Sequence, residues 1–174
     1  MNWGKFAVVA LLASGLVGGV GLWWTQTHQY WDTDPEAVIQ VTDTGGAVTT
    51  FELRFLQAIR SASSPLGFRA CFETTARPDL PNTLIVVEKP EPTVPPGWFD
   101  CFAPRAIADS IRAGEATAYI GVKNIAYGVD RIVAIYPDGR GYAWHELNNC
   151  GRKTYDGTVV GENCPDRATF EGTF

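Results

Sequence analysis

The chain has 174 residues, 45% hydrophobic and 19% charged, with a formal net charge of −5. That is enough apolar material for a real core, and the acidic balance repels phosphate backbones and anionic lipid surfaces. The basic residues are scattered singly rather than in a stripe, so nucleic-acid binding and electrostatic adsorption to membranes are set aside.

Residues 6–24 carry no charge; Lys5 precedes them, and Asp32, Asp34 and Glu36 follow. A helix rises about 1.5 Å per residue against a hydrocarbon core of about 30 Å, so the stretch is just long enough to cross a bilayer. The basic flank predicts a cytoplasmic N-terminus and export of everything after it. Trp23 and Trp24, with Tyr30 and Trp31 further on, match the aromatic belt of a membrane interface. A cleaved signal peptide competes, with a small-x-small pattern at Gly19, Val20 and Gly21, but the length of the run and its double tryptophan favour a retained anchor. No cysteine near residue 20 offers a site for lipid attachment. Inside the anchor, Gly15 and Gly19 form G-x-x-x-G, and Ala10, Ser14 and Gly18 form a second row of small residues. Such rows let helix backbones approach closely in lipid, although small residues are also simply common in spans.

Two parts follow: an anchor and interface over residues 1–29, and one exported domain over residues 30–174. Without Lys5 the domain sets 13 basic against 19 acidic residues. Its expected class is α+β: mainly antiparallel sheet, one or two short helices and two disulfides. Residues 37–43 and 47–53 are β-branched runs around Thr44, Gly45 and Gly46, a hairpin pattern. Residues 54–60 fit a helix turn as well as a strand. Ser63, Ser64 and Pro65 break the chain, and residues 68–74 and 84–88 read as strands. Residues 90–96 contain four prolines and read as an extended loop. Pro104 opens a helix through Ala113, with Ile107 and Ile111 one turn apart and Gly114 stopping it. Residues 115–121 and 128–136 are expected strands, and the turn at Asp138, Gly139, Arg140 and Gly141 returns the chain into a strand over 142–147. The tail from Cys150 is glycine-rich coil.

Cys71, Cys101, Cys150 and Cys164 all fall on the exported side, where an even count reads as disulfides. Three pairings are open; the shortest-loop one, Cys71–Cys101 with Cys150–Cys164, is the default. A metal or redox site has little support, because there is no C-x-x-C pair and His145 stands five residues from Cys150.

The remaining chemistry is sparse. His145 and Glu146 begin an H-E-x-x-H pattern, but Asn149 stands where the second histidine belongs, and the segment is an expected strand. No phosphate-binding glycine loop and no nucleophile elbow is present. His28 lies beside the membrane, leaving His145 as the sole base a nucleophilic mechanism could recruit. Asp130 and Glu146 are a candidate carboxylate pair across the last hairpin, with ordinary ion pairing to Arg131 or Arg140 the simpler reading. No catalytic residue, cofactor or metal ligand is assigned. Trp98, Phe99 and Phe102 flank Cys101; with His145 they are candidate interaction residues, since aromatics are enriched at interface hot spots. Packing against a disulfide in the core is the simpler explanation.

Taken together, the anchor, residues 63–66 and 69–72, the run from Pro96 to Phe102, Tyr127 through Ala134, and residues 137–142 with Trp144 and His145 resemble an uncharacterised family of small, membrane-anchored proteins of alphaproteobacteria. The resemblance implies a bacterial inner-membrane protein with a periplasmic domain and carries no activity, substrate or catalytic residue. The leading expectation is a non-catalytic accessory or assembly protein. Its partner, met through the anchor helix, would be an inner-membrane protein or complex, or a second copy of the chain. The alternative is a tethered ligand-binding or envelope-sensing domain, and an enzyme ranks third.

Overall fold

The computed structural model describes residues 2–74 and 83–170. Helix α1 (Trp3–Trp24) begins three residues earlier than expected, has 22 residues and buries none of them against the rest of the chain. It rises about 33 Å, and it is long and apolar enough to cross a membrane. Where the sequence turns polar the helix widens into a π-helical turn, Thr25–Gln29, and the chain passes directly into strand β1 (Trp31–Thr33). Trp31 is therefore not just an interfacial ring: it pairs with Ser61 and packs, partly buried, on the core. The alternation that marks longer strands is too short at three residues to be seen.

β2 (Gln40–Thr42) and β3 (Val48–Thr50) form the expected hairpin, trimmed at both ends. Its turn is closed by Asp43, whose Oδ1 accepts the backbone N–H groups of Gly45 and Ala47, each at 2.8 Å. The ambiguous segment is strand β4 (Leu53–Ser61), settled by antiparallel pairing with β5 (Phe68–Thr74). Residues 84–88 form no regular strand. They make isolated bridges, Leu84 with Asp43 and Val86 with Tyr119, along an edge the prolines beyond cannot extend.

Helix α2 (Pro104–Arg112) has proline in its first turn, buries Ile107 and ends before Gly114, whose φ of +75° is costly for other residues. β6 (Thr117–Ala126) runs five residues further than expected, through irregularities around Gly121 and Lys123, before β7 (Val129–Ile135) and β8 (Arg140–Leu147). The tail from Cys150 is irregular apart from a Lys153–Val159 bridge; its last four residues lie outside the described ones.

Six strands make one sheet in the order β1-β4-β5-β8-β7-β6, with β2 and β3 a separate pair. The sheet is covered on both faces. The β2–β3 hairpin seals one face over Ile39, Val41, Phe68, Phe72 and Val133. Helix α2 and the segment before it seal the other over Ile59, Phe99, Phe102, Ile107 and Trp144. Alternate residues of β5, β7 and β8 feed opposite cores, which is why those strands read as nearly continuous apolar runs. Disulfides join Cys71 to Cys101 and Cys150 to Cys164. The first ties β5 to the segment before α2, and the second closes the tail.

Candidate functional site

Two places concentrate unusual chemistry, and both adjoin the exit of α1. The first is the joint between helix and domain. The last carbonyls of any helix lack partners within it, and here Trp98 supplies one: its Nε1–H donates to the Thr27 carbonyl oxygen at 2.6 Å. His28 is stacked on Trp24 at 4.4 Å between ring centroids and faces Trp98 at 6.2 Å. The segment that carries Trp98 is itself pinned to the sheet at three points. Buried Arg69 donates from Nε to the Thr93 carbonyl at 2.7 Å, and from Nη1 to Leu66 at 2.8 Å. Glu146 Oε1 accepts both the Glu91 N–H and, at 2.6 Å, the Trp144 indole N–H. Cys101 is bonded to Cys71. The proline-rich loop is thus a strap clamped at both ends. Burial lowers Arg69 to about 10, still charged at neutral pH, and burial raises the Glu146 carboxyl.

The second place is a cavity of about 420 Å³ on the hairpin side of the sheet. Its floor is a single transverse row. Register sets Asp32 opposite Arg60, Arg60 opposite Phe68, and Arg131 opposite His145, while the Phe68 and His145 rings stack at 4.8 Å. Five residues on five strands therefore stand side by side. The β4–β5 turn forms one wall and residues 34–38 the other. Arg131 lies over the Phe68 ring at 4.0 Å, donates from Nε to His145 Nε2 at 3.1 Å, and from Nη1 to the Val38 carbonyl at 3.0 Å. Its Nη2 has no protein partner among the described residues. Burial lowers Arg131 to about 10, so it remains a cation at neutral pH, with Asp34 favouring the charge from beyond ion-pair range.

His145 is 2% exposed. Its Nδ1–H donates to the Pro65 carbonyl and its Nε2 lone pair faces Arg131, so both ring nitrogens are engaged and the neutral tautomer is set. Burial, then the charge of Arg131, pulls its pKa down to about 3. In this arrangement the sole candidate base has no lone pair to offer a substrate.

The other sequence candidates divide. Phe99 and Phe102 are 2% and 3% exposed and form core around the disulfide, His145 is buried in the floor of the cavity, and of these four residues Trp98 is the one at the surface. Asp130 and Glu146 do oppose each other across β7 and β8, yet among the described residues neither forms an ion pair with an arginine. Asp130 Oδ1 accepts from the Asn124 N–H and Asn148 Nδ2, each at 2.8 Å, while Arg140 pairs with Asp138 at 2.7 Å. Ala10, Ser14, Gly15, Gly18 and Gly19 all lie on the exposed helix α1. Among the described residues no cluster of histidine, cysteine and carboxylate side chains has the arrangement of a metal site. Sequence reasoning passed over Arg69, Arg60 and Asp32; an arginine inside the apolar run of β5 was the one signal available.

These features define a disulfide-braced antiparallel domain fixed to the end of an apolar helix. The chain belongs to DUF6446, a family of unknown function whose pattern matches residues 38–165, which lie within the domain. Neither a curated protein nor a solved structure matches it.

Proposed function

We propose that this protein is a non-catalytic accessory or assembly factor of a bacterial inner-membrane complex. Its N-terminus is cytoplasmic, α1 spans the membrane, and the disulfide-bonded domain stands in the periplasm. What supports an assembly role over a loosely tethered sensor is the joint. Trp98 bonded to the Thr27 carbonyl, on a strap held by Arg69, Glu146 and Cys101, fixes how the domain stands on its helix. A tether needs only length; a brace needs a fixed angle, so that the helix and one face of the domain can meet a larger partner together.

The test is extraction in mild detergent followed by native mass measurement, for wild type and for Trp98→Ala. Wild type should run in an assembly far larger than a monomer. Trp98→Ala should release it while both disulfides and the domain's thermal stability are kept. A small free protein in both cases would refute the assembly reading and favour a tethered ligand-binding domain.

A further inference from the structure

The cavity over the transverse row has a charge pattern that the fold does not resolve. Asp32, Asp34, Glu36, Arg60 and Arg131 all line it, yet none of them makes an ion pair among the described residues, where the pairs are Arg112–Asp109, Lys123–Glu162 and Arg140–Asp138. Cross-strand neighbours of opposite charge ordinarily pair; here Asp32 and Arg60 stand opposite and do not. Arg131 is more telling. A half-buried guanidinium normally has a carboxylate or phosphate partner, but this one, which lines the cavity, is oriented by a ring face, a histidine nitrogen and a carbonyl, with Nη2 left without a partner among the described residues.

We propose that this cavity binds a small zwitterion carrying a phosphate and an ammonium group. The phosphate is received between Arg131 and Arg60, and the ammonium by the carboxylates of Asp34, Asp32 and Glu36. Two guanidinium groups suit a phosphate, which accepts from several donors at once. The three carboxylates exclude a simple polyanion and call for a cation on the same molecule. Position adds a membrane source to a free one. The Ala62 N–H donates to the Tyr30 carbonyl at 2.9 Å, and Trp31 pairs with Ser61, so the cavity wall built from the β4–β5 turn adjoins the point where α1 enters the domain. The ethanolamine phospholipid headgroup and free phosphoethanolamine share the required chemistry.

The experiment titrates phosphoethanolamine calorimetrically into full-length protein in nanodiscs of phosphatidylglycerol alone. One equivalent should bind, and ethyl phosphate or ethylamine, each with half the charge pattern, should bind at least about tenfold more weakly. Asp34→Asn and Arg60→Gln replace side chains without ion pairs; each should weaken binding about tenfold with no loss of thermal stability. Repeating the titration in nanodiscs rich in ethanolamine phospholipid separates the sources. A lost signal means the headgroup already fills the site, and an unchanged one means the free compound is the ligand; either supports the proposal. No binding in the phosphatidylglycerol discs, or binding that neither variant alters, overturns it.

Discussion

Acidification should weaken this fold through one residue, His145. In the folded protein its pKa is pulled from 6.5 to about 3, by burial first and by Arg131 second. The unfolded chain therefore takes up a proton below pH 6.5 that the folded chain refuses, and stability falls with pH until the folded value is reached. Full stability is present above the unfolded pKa. Each pH unit below it removes about 1.4 kcal/mol, so the step from pH 6.5 to about pH 5 costs about 2 kcal/mol. Domains of this size are stable by only about 5–15 kcal/mol, so the loss is readily measured. Glu146 works the other way, because its raised pKa lets the folded state bind a proton first and so offsets part of the loss at lower pH. The assay is urea unfolding of the full chain in nanodiscs with disulfides intact, followed by near-ultraviolet circular dichroism across that range. His145→Phe should lower stability at pH 7, since Arg131 Nε loses its acceptor and the Pro65 carbonyl its donor, but should flatten the slope between pH 6.5 and 5. Nitrogen NMR of the imidazole should show the Nδ1–H tautomer throughout. Parallel pH curves for wild type and variant, or a folded-state His145 titrating near pH 6, would refute the reasoning.

Three further outcomes are expected. Cys71→Ser should destabilise by about 3.6 kcal/mol and Cys150→Ser by about 3 kcal/mol on loop length alone, and the gap should widen because Cys71 is 5% exposed in the core; equal melting losses would count against this. Gly141→Ala should cost about 1–3 kcal/mol, because a Cβ there would sit 2.1 Å from Cζ of the buried Phe72 ring; an unchanged melting temperature would show that the ring gives way. Gly15→Leu with Gly19→Leu should reduce helix association in the membrane, measured by native mass or crosslinking, while disulfides and domain stability stay the same. Gly21→Leu, nearer the membrane edge, is the control; equal effects would mean an insertion defect instead of a packing face.

Local patterns carried a good part of this architecture. An uncharged run makes a long apolar helix wherever it sits, proline at 104 and glycine at 114 bracket α2 from within the segment, and Thr44, Gly45 and Gly46 turn the first hairpin. The disulfide pairing followed the shortest loops because entropy favours nearby partners. The helix and turn signals rest on residues close together in the chain, so the sequence states them directly, whereas cysteine spacing only ranks one pairing ahead of two others. The cavity row is of another kind. Asp32, Arg60, Phe68, His145 and Arg131 belong to five strands, and only antiparallel register aligns them. A strand's period of two says which residues share a face, but not which residue of another strand stands alongside. The same holds for Trp98, which meets Thr27 across 71 residues. The long helix, the short helix and most of the apolar strands were legible in the residues alone; only the folded sheet shows which cysteines pair, that a hidden histidine orients an arginine, that aromatics flanking a cysteine face inward, and that charges spread along the chain line one cavity. Backbone propensity and loop entropy are local quantities, whereas register is chosen by the packing of the whole sheet.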